Sequence, residues 1–133
     1  MYHVLMPIDS SEPRGTVQAE TVEALPNASE AVTVTLLYAF DDEDREAETA
    51  PRQIPGGRVA YDRLQEAGIP VEQVSRVGDP ATTILEVAKE TDADHIVLGG
   101  RKRSPARSLL FGSVTQAVLL DADRPVSVTG GEK

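Results

Sequence analysis

The sequence predicts an α/β fold: an open, twisted, parallel five-stranded sheet with helices on both faces. Three observations predict it. Short apolar runs alternate with capped or amphipathic stretches in the order β-α-β-α-β-α-β-α-β, which implies parallel strands joined by crossover helices. The length, 133 residues, suits one domain that can bury its own core. No internal repeat or composition break divides the chain.

Residues 2–8, YHVLMPI, read as a short buried strand with a proline near its end. Asp9, Ser10 and Ser11 follow, and all three are good helix N-caps. From Glu12 to Leu25, Val17, Val22 and Leu25 sit amid Ala, Gln and Glu, as on an amphipathic helix that Pro26-Asn27 stops. Residues 31–39, AVTVTLLYA, are β-branched early and continuously apolar late, as a buried parallel strand requires. Residues 40–57 lack periodicity and are rich in acid, so they read as a flexible, exposed connection within the single domain 1–133.

A helix over 58–67 is then stopped by Gly68, and residues 70–77, PVEQVSRV, alternate like a strand. Gly78-Asp79-Pro80 supplies a turn glycine, an Asp N-cap and a proline at the first helical position. The helix 80–91 places Ile84, Leu85 and Ala88 on one face. Residues 94–99, DHIVLG, form a fourth strand; 113–120 form a helix with Val114, Ala117 and Val118 inward; 124–129, RPVSVT, form the last strand. In such sheets ligands bind beyond the carboxyl ends of the strands, where strand order reverses. The loops after strands one, two and four are therefore the places to look.

Composition excludes several classes. There is no cysteine, so disulfides and thiolate metal sites are out. No run approaches the roughly 18 apolar residues of a membrane span, so no membrane partner is expected. The first residues lack a basic leader, and the expected location is cytoplasmic. Acids number 22 against 13 bases, a net charge of −9, and ten of the bases are Arg. That balance fits a salt-rich cytoplasm or a merely acidic mesophilic protein. Either way it argues against nucleic-acid binding, which needs a positive surface.

Against this acidic background Arg101, Lys102, Arg103 and Arg107 crowd into seven residues. Known nucleotide motifs do not explain them. There is no G-x4-G-K-[ST], and the turn after strand one is Asp9-Ser10-Ser11 rather than G-x-G-x-x-G. A phosphoacceptor receiver domain would need an acidic pair after strand one and a Lys after strand five; the chain has neither.

Three segments together resemble the universal stress protein family. VLMPIDSSEPR at the start resembles the family's first strand and turn. VGDPATTILEVAKETDADHIVLGG resembles its third helix and fourth strand. The final segment resembles its G-x2-G-x9-G-[ST] nucleotide signature, followed by a short helix and a Pro-Val strand. The resemblance covers nearly the whole chain apart from residues 40–65. Here the signature reads G-x2-K-x9-G-S: Gly99, Gly112 and Ser113 match, and Lys102 replaces the second glycine.

The resemblance implies binding of ATP or another adenine nucleotide, with or without Mg. Pro7, Asp9 and Ala39 fall where the family places its adenosine pocket. Gly99, Arg101, Lys102, Gly112, Ser113, Val114 and Thr115 fall on its phosphate side. A helix N-terminus offers unpaired N–H groups and a partial positive charge to such an anion. Lys102 cuts both ways. Its ammonium suits a phosphate, whereas a Cβ obstructs a close backbone approach and is strained if φ there is positive.

Simpler roles stand beside each residue: Ser113 or Asp9 as a cap, Gly99 as a turn out of the sheet, the cations as a solvated loop. His3 and His95 read as packed strand residues, and no catalytic constellation is visible; at most slow ATP hydrolysis is conceivable. The resemblance also implies a homodimer through the last strand, near Pro125–Thr129, and a protein partner of unknown identity. Two functions stay open: a nucleotide-binding regulator of the stress response, and a dimeric interaction module whose nucleotide site Lys102 has closed.

Overall fold

The computed structural model describes residues 1–40, 50–100 and 112–130. Five strands form one parallel sheet: β1 (Tyr2–Pro7), β2 (Val32–Phe40), β3 (Val71–Val77), β4 (His95–Leu98) and β5 (Val126–Val128), in the order β3-β2-β1-β4-β5. The chain first winds outward from β1 to β3. It then crosses back to β4 and winds the other way, so strand order reverses between β1 and β4. The helices follow from that path: α1 (Glu12–Glu23), α2 (Ala28–Ala31), α3 (Pro55–Glu66), α4 (Pro80–Glu90) and α5 (Ser113–Asp121).

Strand pleating sorts the core into two layers. Val4 and Met6 of β1 face α1 and α3, packing with Val34, Leu36, Ala19, Val22, Ala60 and Leu64. Leu5 faces the other way, toward α4 and α5, with Leu37, Ile96, Leu98, Ile84, Val87 and Val118. A sheet covered on both faces explains the near-continuous apolar runs of β1 and β2.

Several boundaries differ from the sequence expectation. The third helix begins at Pro55 rather than at residue 58, and a 3-10 turn over Pro51–Gln53 precedes it. Phe40 still belongs to β2. The flexible connection expected over 40–57 is therefore too long at both ends, and its remainder, 41–49, lies outside the described residues. The reason is close packing. Gly56 is buried in α3, and a Cβ there would run into the carbonyl oxygen of Asp9, just as one on Gly15 would strike the carbonyl of Gly56. What reads as a Gly-Gly loop signal is a helix start pressed onto backbone.

In α1 the buried stripe is Gly15, Gln18, Ala19 and Val22. Val17, expected inward, is only half-buried. A polar Gln can take the inner position because both N–H groups of its amide are used there. Its Nε2 donates to Pro7 O at 2.7 Å and to Val97 O at 3.1 Å, tying together the ends of β1 and β4 where strand order reverses. The short α2 was not expected; it starts after Asn27, whose φ is 55°.

The cleft at the carboxyl ends of the strands

Where β1 and β4 diverge, the chain leaves a cleft of about 270 Å³. Its described lining comprises Pro7, Ile8, Asp9, Arg14, Ala39, Pro80, Ile84, Leu98, Gly99 and residues 112–115. Every described residue of the sequence-derived set is therefore here: Pro7, Asp9, Ala39, Gly99, Gly112, Ser113, Val114 and Thr115. Arg101 and Lys102 lie outside the described residues.

Each lining group is placed by its element. Pro7 and Ile8 end β1, and Ile8 N–H donates to Leu37 O at 2.9 Å, which holds the two strand ends level. Ala39 stands near the end of β2. On the opposite wall, Pro80 and Ile84 come from the first turns of α4. Asp79 caps that helix: Oδ2 accepts from Thr82 N–H at 3.1 Å and from its hydroxyl at 2.9 Å. These two hydrogen bonds hold the Asp79 carboxyl below its ordinary value.

The cap of α5 is different. Gly112 is the N-cap, and among the described residues no side chain caps this terminus; the first backbone bond runs from Gln116 N–H to Gly112 O at 3.1 Å. Ser113 is thus not the cap but the first helical residue, and the first turn of α5, residues 113–115, lines the cleft. Next to Gly99, a Cβ on Gly100 would collide with Thr129 O, and Gly100 N–H donates to the Thr129 hydroxyl at 3.3 Å. The chain leaving β4 therefore hugs the end of β5.

Asp9 does not cap α1 either. Ser11 does, accepting from Arg14 N–H at 3.3 Å. The Asp9 carboxylate accepts from Ser11 N–H at 2.8 Å and from Arg14 Nε at 3.0 Å. Arg14 was missed by sequence reasoning. The available signal was a cation in the first turn of a helix, five residues after the one carboxylate that ends strand one.

The two histidines belong to the opposite end. His3 Nδ1 lies 3.1 Å from Thr91 O, which only accepts, so this nitrogen donates, and Nε2 lies 2.7 Å from the Thr35 hydroxyl. His95 bridges Tyr2 and Ser127 at 2.8 and 2.7 Å. Among the described residues no group of three His, Asp or Glu side chains is disposed to hold a metal.

The universal stress protein family model matches residues 1–130. The chain belongs to the universal stress protein family. A universal stress protein of Mycolicibacterium smegmatis is 44% identical over 64 residues, 47% of this chain and 49% of that protein. The matched stretch thus spans about half of that relative. Solved structures extend the likeness to the whole chain. A universal stress protein from Archaeoglobus fulgidus superimposes with a TM-score of 0.72 at 27% identity, covering 97% of this chain and 98% of that one. Another, the Archaeoglobus fulgidus universal stress protein in complex with dAMP, gives a TM-score of 0.67 at 24% identity over 97% of each chain. At that identity the likeness speaks to the fold.

Among the described residues no helix is long and apolar enough to cross a membrane.

Proposed function

We propose that this universal stress protein binds an adenine nucleotide in the cleft and acts as a nucleotide-dependent regulator in the stress response. The observation that carries the reading is the convergence of one apolar wall and the N-terminus of α5 on a single cleft. Pro7, Ile8, Ala39, Pro80, Ile84 and Leu98 offer a flat apolar slot to a purine, and residues 112–115 offer N–H donors to phosphate. The dAMP bound by the Archaeoglobus relative supports the same ligand class. Arg101 and Lys102 complete the phosphate side in this reading, and Lys102 serves as a cationic ligand in place of the family's glycine.

The described lining offers magnesium one carboxylate. This is Asp9, and it is already engaged by Ser11 and Arg14. A magnesium ion in this site would arrive on the phosphates. The protein would work as a homodimer through β5, which is an edge strand with half-exposed side chains. It would work in the cytoplasm, through a protein partner that senses the bound state.

The test is direct. Protein purified in molar KCl with Mg²⁺ is denatured and the released small molecules are chromatographed; the stripped protein is then titrated with ATP by calorimetry. Released adenine nucleotide or saturable binding is the expected result. The double variant Arg101→Glu/Lys102→Glu should then weaken binding at least about tenfold without unfolding the chain. Neither release nor binding, together with binding created by Lys102→Gly, would favour the second reading: a dimeric interaction module whose nucleotide site Lys102 obstructs.

A further inference from the structure

Arg14 and Asp9 are the one cation and the one anion in the described lining of the cleft. Their side chains are 20% and 53% exposed, so the pair stands at the wall rather than free in solvent. Asp9 is fixed from two sides: Ser11 N–H holds Oδ1 at 2.8 Å and Arg14 Nε holds Oδ2 at 3.0 Å. The stem of Arg14 is fixed as well. Its Cδ packs so closely behind Gly99 that a Cβ on that glycine would sit 3.2 Å away. The guanidinium is thereby pinned between the carboxylate and the glycine from which the chain leaves β4 into the basic segment.

This arrangement bears on which ligands the cleft accepts. A bare carboxylate in a partly desolvated cleft repels an anion, and the repulsion grows as water is displaced. A guanidinium held on that carboxylate by a charge-assisted hydrogen bond cancels most of its field at ligand distances. Among the described lining, what then remains is the α5 N-terminus, which favours negative charge. A neutral ligand is nearly indifferent to the change.

We propose that Arg14 is a specificity-determining residue of the cleft: by pairing with Asp9 it makes the site prefer phosphorylated over unphosphorylated nucleosides. The inference rests on the nucleotide reading above. It assigns Arg14 the compensation of Asp9, not direct contact with phosphate.

Calorimetric titration of the full chain with AMP and with adenosine, both in EDTA, tests it. The readout is the ratio of the two dissociation constants, which a uniform loss of packing leaves unmoved. In the wild type AMP binds more tightly. Arg14→Ala should reduce the preference for AMP about tenfold, and Arg14→Lys should keep it within about threefold. The double variant Asp9→Asn/Arg14→Ala should restore the wild-type preference, since no charge is left to compensate. Thermal melts check that each variant is folded, and the two rescuing variants carry the test if Arg14→Ala is not.

An unchanged ratio in Arg14→Ala overturns the inference and leaves nucleotide binding standing. A ratio that stays low in the double variant also overturns it, because the guanidinium would then touch phosphate itself. A wild type that binds neither ligand overturns the nucleotide reading and this inference together.

Discussion

The two ends of the sheet are built from different materials. At the amino ends of the strands, polar side chains satisfy one another. Thr35 and Thr91 take both ring nitrogens of His3, Asp94 accepts from the His3 N–H at 2.8 Å, and Tyr2, His95 and Ser127 link β1, β4 and β5. At the carboxyl ends, backbone lies against backbone. Gly15 and Gly56 close α1 onto α3, Gly100 touches the end of β5, and α5 starts without a side-chain cap among the described residues. One end has little bonding capacity left over. The other keeps donors at the point where strand order reverses, and that is where the cleft lies. Polar side chains are paired at both ends, as Asp9 with Arg14 and Asp79 with Thr82 show at the carboxyl ends; what sets those ends apart is close-packed glycine backbone and the start of α5 beside the cleft.

Breaking the close packing should have the largest effect. Gly15→Ala drives a methyl group into the Gly56 carbonyl and should cost about 3 kcal/mol in urea unfolding, with α1 shifted and ligand affinity reduced alongside. Next comes Gln18→Leu, which leaves Pro7 O and Val97 O without their shared donor. We expect a loss of about 2 kcal/mol, and a weaker cleft because the ends of β1 and β4 are no longer tied.

The smallest effect sharpens the contrast from the closed end. Burial holds His95 below its ordinary value of 6.5. The unfolded chain therefore takes up this proton first as pH falls, and stability should drop from about pH 6.5 downward until the lowered native value is passed. His95→Gln should flatten that part of the stability–pH curve while leaving nucleotide affinity unchanged. A pH slope that survives in the variant would place the titration elsewhere.

Much of the fold is legible in the sequence because it rests on local periodicity. The caps at Ser11 and Asp79 and the buried runs of β1 and β2 are local signals with local causes. Pro7, Asp9, Ala39, Gly99 and residues 112–115 are legible through a spaced signature, and they do line one cleft. Ile8, Arg14, Pro80, Ile84 and Leu98 were not singled out. They lie in segments read for their strands, helix starts and family likeness, not as site residues, and they enter the cleft because α1, α4 and the strands meet there. The start of α3 misleads for a related reason: Pro55-Gly56-Gly57 has the composition of a turn, and its helical state comes from packing against residues 9–11 and Pro51.

By itself, the sequence determined the order of the elements, the parallel sheet and the membership of the family, because alternating hydrophobic periods and a spaced glycine signature are properties of the chain. Only the tertiary structure decided that Gln18 belongs inside, that Gly112 rather than Ser113 caps α5, and that Arg14 holds Asp9. Gln18 depends on atoms brought together from separate elements, Arg14 and Asp9 on the turn between β1 and α1, and the α5 cap on where its first helical bond closes; a donor or a charge has no partner until the fold supplies one.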